Sequence, residues 1–329
     1  MSPTVSSIQH VVSDAFLDNL SELARRDGSW WQDVLLRDDV FIAVRNNSLN
    51  VYHRGASIFR IDDNGRGKIR PWTHVKYLVK QQQLLAELMD DGRFKPNNIG
   101  WSHYESPNTL KDMIRSAADL SGVEKTELHP LVLGSSNVID VEVSLLRPVD
   151  PESADDALPL SDQFQTAQES TRKQDRLDVV TLEDRPDGIF VVFHEAKHFS
   201  NAALRAKAEP SVIGQMRRYH KAIVHHEAAL RKRYEAVCVA LVRLHEMRID
   251  ARKAVPDPKP LADLNQMVRD VAAGKMPIQV DPDPRLVVFG FDANQKDGRW
   301  KNEKARLKEF LPGIKIKDVG NTKSAKDFF

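Results

Sequence analysis

Apolar positions recur along this chain in two periods, and the period changes mark its elements. In 12–27, Ala15, Phe16, Leu20, Leu23 and Ala24 share one face at a spacing of three to four, which predicts an amphipathic helix. Trp30, Trp31, Val34, Leu35 and Leu36 predict a second, shorter one. Three short runs follow at 41–45, 49–53 and 57–61, separated by Asn46-Asn47-Ser48 and Arg54-Gly55-Ala56. Those separators are turn chemistry, so the runs predict a β-meander. After the polar loop 62–68, a helix is expected near 77–89 and a further loop at 96–100. Residues 1–100 therefore read as a small α+β region.

The second part of the chain repeats the alternation on a larger scale. Helical patterns at 109–120 and 124–133 precede strand-like runs at 138–146, 176–182 and 189–197. Between the first two runs, 148–171 is acidic, rich in Pro, Ser and Gln, and without period, which predicts a mobile loop. Pro210 opens a helix expected to run to about 230, with Val212, Ile213, Met216, Tyr219, Ile223 and Val224 as its stripe. The apolar run 236–244 reads as a fourth strand. A Pro-rich loop at 254–263, helices at 262–273 and 302–310, and strands at 286–291 and 314–319 complete the chain.

Composition narrows the classes. Lys plus Arg number 48 against 47 Asp plus Glu, so any nucleic-acid surface must be a local patch. The single cysteine, Cys238, sits in an apolar run and rules out an internal disulfide framework. No run approaches the length of a membrane span, and the first residues lack a charged and then apolar leader, so a cytoplasmic protein is expected.

Candidate chemistry concentrates at 189–198, where an apolar run ends in His194, Glu195, Ala196, Lys197 and His198. Two signatures overlap there. His194 to His198 fits H-E-x-x-H, a zinc-protease pattern that requires a helix. Glu195 and Lys197 fit E-x-K, which places both side chains on one face of a strand. On a strand the two histidines would lie roughly 13 Å apart at about 3.3 Å per residue, too far to share a zinc ion. The β-branched and aromatic residues before them predict a strand, and with it the E-x-K reading.

Helix, three strands, helix and strand, with Asp178 on the second strand and Glu195-Ala196-Lys197 on the third, resemble the core of the PD-(D/E)XK, or restriction-endonuclease-like, nucleases. Leu177 stands where the proline of the family name would be. Gln215 and Tyr219 fit the Q-x-x-x-Y motif of RecB-like members. The resemblance covers about 109–244 and implies an α/β fold, a mixed β-sheet flanked by helices, over a domain at 101–329. It also implies Mg²⁺, with Mn²⁺ as substitute, held by Asp178 and Glu195 and helped by an auxiliary Glu. Glu142 is favoured for that role because Asp140 and Ser144 would share its face, with Glu124 on the preceding helix as the alternative. Lys197 would assist the attacking water.

The expected activity is DNA phosphodiester hydrolysis of a restriction or antiphage-defence type, with a homodimer or a partner protein as further associations. Carboxylate oxygens suit Mg²⁺, which is hard and retains water. The segment from Lys197 to Arg233 is rich in Lys and Arg, and Arg176, His198, Arg217 and Arg218 are the candidate phosphate contacts. Arg45, Tyr52, Arg54 and Arg60 offer a second set in the N-terminal region. The rivals are a catalytically silent binding module on the same fold and a zinc metalloprotease using His194, Glu195 and His198.

Overall fold

A computed structural model describes residues 11–63, 66–78, 103–147, 174–206, 208–323 and 325–329, with the backbone of 87–88 and 94–95. Ser13 and Ser29 begin the first two helices, α1 (Asp14–Ala24) and α2 (Trp30–Leu35), with side chains that accept from the N–H groups of Phe16 and Gln32. The meander follows as β1 (Phe41–Arg45), β2 (Ser48–His53), β3 (Ala56–Asp63) and β4 (Ile69–Trp72), an antiparallel four-stranded sheet in that order. Its tight turns place Asn47, Arg54 and Gly55 at positive φ, as such hairpins require. Of the helix expected at 77–89, residues 79–86 lie outside the described residues. Tyr77 ends a short 3₁₀ turn, and β5 (Glu87–Leu88) pairs with β6 (Phe94–Lys95) instead.

α3 (Asn108–Asp119) and α4 (Val123–Leu133) lead into β7 (Val138–Leu146). β8 (Gln174–Arg185) and β9 (Gly188–His198) continue antiparallel from it, joined by a tight turn at Pro186 and Asp187. The acidic stretch 148–171 lies outside the described residues. α5 (Ser211–Lys253) and α6 (Gln266–Ala272) come next, then β10 (Ile278–Val280) and β11 (Arg285–Phe289). α7 (Ala293–Gln295) passes through a π turn into α8 (Lys301–Phe310), and β12 (Lys315–Val319) is last. The second sheet is six-stranded and mixed, ordered β12-β11-β9-β8-β7, with β10 also paired to β9. β11 runs parallel to β9 with Leu286 opposite Glu195 and Val288 opposite Lys197. The chain is thus mixed α/β. Among the described residues no helix is long and apolar enough to cross a membrane.

The expected strand at 236–244 is helical. α5 does not stop near 230 but runs 43 residues, about 64 Å at 1.5 Å per residue. Its first half lays Val212, Ile213, Met216, Tyr219 and Ile223 on the large sheet. Its second half packs Leu244, Met247 and Ala251 against the N-terminal core, where Arg252 donates to Leu35 O and Asp38. Ala236, Val237, Cys238 and Ala240 lie where the helix passes between the two and are buried on several sides. That burial erased the one-sided stripe by which a helix is read. The strand expected after the helix is supplied by β10 and β11 instead.

Candidate functional site

Five charged side chains from four elements meet at the end of the large sheet. Their gathering begins with backbone register. Val141 pairs with Val179 and Val143 with Leu177, so Glu142 lies across from Asp178. Val179 pairs with His194, which brings Asp178 beside the start of the Glu195-Ala196-Lys197 segment. Asp178 Oδ2 accepts from Ala196 N at 2.8 Å, tying the two strands together. On β9 the alternation puts Ile189, Val191 and Phe193 against α5, and Glu195 and Lys197 follow on that face. Lys197 donates to Glu195 Oε1. Tyr219 of α5 stands beside Glu195 and donates its hydroxyl to Arg176 O at 2.9 Å.

Glu142 arrives by a different route. Alternation would set Asp140, Glu142 and Ser144 on one polar face, but every residue of β7 is buried and Glu142 has a φ of 54°. This left-handed conformation is costly for a residue with a Cβ and turns the side chain away from its expected face. Asp140 binds Arg45 and Tyr234, whereas Glu142 accepts from Lys125 on α4 at 2.5 Å. The same ammonium lies 2.5 Å from Asp178 Oδ1. Lys125 carried no motif, and it is the residue that sequence reasoning missed. A signal was present: Lys125, Leu128 and Val132 share one helical stripe, and the latter two are core. A lysine on the buried stripe of a helix needs an acidic partner.

The electrostatics follow from this burial. Glu195 is 2 % exposed, and its Oε2 has no hydrogen-bond partner among the described residues. Burial and the neighbouring Asp178 charge raise its pKa to about 8, against the pull of Lys197. Burial pushes Asp178 up as well, but Lys125, Lys197 and the Ala196 N–H outweigh it and hold Asp178 below the usual range. Glu142 is raised by burial, with Lys125 opposing and Asp178 adding. Both lysines face a desolvation that would lower them, and the adjacent carboxylates carry each upward instead.

The other expected residues are distributed unevenly. Glu124 accepts from His198 N and Asn201, and its charge still acts on Lys197. Arg176, about half exposed, stands 3.6 Å from Glu142 at the cluster's edge. Arg218 reaches Asp175, next to it. Arg217 is held elsewhere, by Glu209 and Phe310 O. Gln215 presents a buried Oε1 without a partner among the described residues. His198 stands on the opposite face from Glu195, bonded to Ser200 and near Glu127. His194 is fully buried against Thr181 and Phe329. In the N-terminal region the buried pair with Asp140 removes Arg45 from any phosphate role, and Tyr52 is buried. Arg60 pairs with Asp62.

Fit to a divalent cation can be judged from the donors. Glu142, Asp178 and Glu195 present hard carboxylate oxygens, and Glu195 Oε2 is buried with an unused lone pair. As the side chains stand, no three His, Cys, Asp or Glu among the described residues are close enough to hold a metal. Between Glu142 and Asp178 stands the Lys125 ammonium, 2.5 Å from an oxygen of each. The donor set suits Mg²⁺ or Mn²⁺ once that position is free. No family model matches the sequence, and comparison with curated proteins and with solved structures finds no match.

Proposed function

We propose that the chain is a metal-dependent nuclease that hydrolyses phosphodiester bonds of DNA, with a restriction-endonuclease-like core over 101–329. The observation that carries this reading is the convergence of Glu142, Asp178, Glu195 and Lys197 from three adjacent strands onto one sheet end. Buried carboxylates are costly, and gathering three of them is a poor way to stabilise a sheet. The succession α4, β7, β8, β9, α5 supports the likeness to the nuclease core, with Tyr219 of the Q-x-x-x-Y pair beside Glu195.

In this reading Glu142, Asp178 and Glu195 hold a Mg²⁺ or Mn²⁺ ion. The ion, when bound, would offset phosphate charge and acidify a water. Lys197, fixed by Glu195, presents an ammonium where negative charge grows on the phosphate during attack. Tyr219 fixes Arg176 O and flanks Glu195, limiting the freedom of both. Arg176 at the rim meets the approaching backbone.

The silent binding module is the rival with an observation behind it, because Lys125 neutralises two of the three carboxylates. The zinc-protease alternative needs a helix at 194–198, and those residues are strand. One assay separates these readings: plasmid and linear DNA with Mg²⁺, Mn²⁺, Zn²⁺ or EDTA. Cleavage with Mg²⁺ or Mn²⁺, absent in Asp178→Ala and Lys197→Ala, is the expected result. DNA bound but left intact by wild type under every metal condition sinks the nuclease in favour of the module.

A further inference from the structure

Lys125 stands between two carboxylates of the cluster. Its ammonium is 2.5 Å from one oxygen of Glu142 and 2.5 Å from one of Asp178, on adjacent strands. Without it those two buried carboxylates would face each other as like charges. A position shared by two carboxylates from neighbouring strands is also where a bridging metal ion would bind. The lysine is tethered by a flexible four-carbon stem, and 30 % of its side chain reaches solvent, so it has a way out. A divalent cation taking that position would keep the two carboxylates neutralised once the lysine has left.

The N-terminal sheet bears directly on that stem. At Gly55, in the β2–β3 turn, an added Cβ would stand 2.9 Å from Lys125 Cδ, 3.1 Å from Cγ and 3.2 Å from Glu142 Oε1. Only hydrogen fits, and the φ of 74° also calls for glycine. The turn is fastened from both sides, with Arg54 N donating to His129 Nδ1 and Ser121 Oγ donating to Arg54 O. Behind the lysine, a cavity of about 20 Å³ lined by Tyr52, Gly55, Lys125, Glu142 and Asp178, among others, has room for about one water. That cavity is too small to take the ammonium group, so displacement carries it toward solvent, which 30 % of the side chain already reaches.

We propose that Lys125 is a resident counter-ion that keeps the metal position between Glu142 and Asp178 and leaves it when a divalent cation binds, and that the Arg54–Gly55 turn sets how readily it leaves. The proposal rests on the metal-site reading above and gives the N-terminal sheet a regulatory part in that site. Apparent metal affinity is then reduced by the fraction of molecules in which the lysine is already displaced.

The experiment is Mn²⁺ binding to the full chain without DNA, followed by calorimetry and by the electron-paramagnetic signal of free Mn²⁺. Wild type is compared with Lys125→Met, which keeps the stem and removes the charge, and with Gly55→Ala, which crowds the stem outward. Lys125→Met is expected to bind Mn²⁺ about tenfold or more tightly, and Gly55→Ala to shift in the same direction. In wild type, amine acetylation read by mass spectrometry is expected to label Lys125 faster once Mn²⁺ is present. If Lys125→Met fails to fold, the wild-type labelling decides. Mn²⁺ bound to wild type with unchanged Lys125 labelling, or bound no more tightly by a folded Lys125→Met, overturns the exchange and leaves the nuclease reading standing. Mn²⁺ bound by neither protein at millimolar concentration removes the metal site and the exchange together.

Discussion

Two charged clusters draw on β7, one at Asp140 and one at Glu142 and Asp178, and they are built to opposite ends. At Asp140 both carboxylate oxygens are engaged, by Arg45 from the N-terminal sheet and Tyr234 from α5, and the residue is fully buried. Arg45 also donates to Val141 O at 2.5 Å, and Arg233 donates to Val44 O, so this cluster binds three parts of the chain into one core. Around Asp178, by contrast, two carboxylates share one partly exposed lysine, and a third keeps a buried oxygen unpartnered. Acidic residues on the same strands thus separate into structural and chemical by how completely their lone pairs are used. A carboxylate with both oxygens engaged resists change, whereas one left short of donors has capacity for a ligand.

The comparison breaks first on stability. Arg45→Ala or Asp140→Ala leaves one buried charge alone and is expected to cost about 3–5 kcal/mol in urea unfolding. A paired replacement by apolar residues, Arg45→Met with Asp140→Leu, should recover much of that loss. A single-variant cost under about 1 kcal/mol would mean that the pair does not join the sheets as described.

The second cluster should respond in activity instead. Lys197→Ala and Asp178→Asn are each expected to lower DNA cleavage by a factor of about 10² or more. Asp178→Asn should move unfolding free energy by only about 1–2 kcal/mol, because losing that charge relieves the buried Glu195 beside it, whereas Lys197→Ala strips Glu195 of its ion-pair partner and should cost more. Loss of cleavage that merely tracks loss of fold would assign Asp178 to the structural class.

Sequence made the sheet order around β8 and β9 readable, since their apolar runs are long and end in charge. It also put Asp178, Glu195 and Lys197 together, because register follows from consecutive antiparallel strands. Three features were hidden for physical reasons. Residues 236–244 looked like a strand because a helix passing between two cores loses its polar face. The polar face expected around Glu142 does not exist, and Glu142 lies across from Asp178 at a positive φ, which pattern cannot show for a residue other than glycine. Lys125 reaches carboxylates 17 and 53 positions away, a distance in sequence that no local spacing rule covers.

Between the clusters runs a seam that acid should open. His53 and His129 meet edge to face, each bonded to Asp39 O, where the N-terminal sheet meets α4. Burial lowers His129 to about 4, despite that bond, with His53 and Arg54 adding to the effect. A histidine depressed in the folded state contributes stability above its ordinary pKa of about 6.5 and loses it as pH falls toward 4. The expected loss from this group alone is about 2 kcal/mol by pH 5. His129→Gln cannot take up the proton, so its unfolding free energy should fall less between pH 6.5 and 5. Curves that stay parallel would take His129 out of the seam's acid response.

The smallest effect concerns the rim of the Asp178 cluster. Arg176 is half exposed beside Glu142, while Arg217 is already committed to Glu209 and Phe310 O. A guanidinium with free donors at the rim can exchange counterions for a DNA phosphate, and a committed one cannot without breaking its own bonds. Arg176→Ala should weaken DNA binding severalfold and reduce the salt dependence by about one phosphate contact. Arg217→Ala should leave both unchanged within error. Equal losses in the two variants, measured by fluorescence anisotropy across a salt series, would show that DNA reads the net charge of this face and not the edge of the carboxylate cluster.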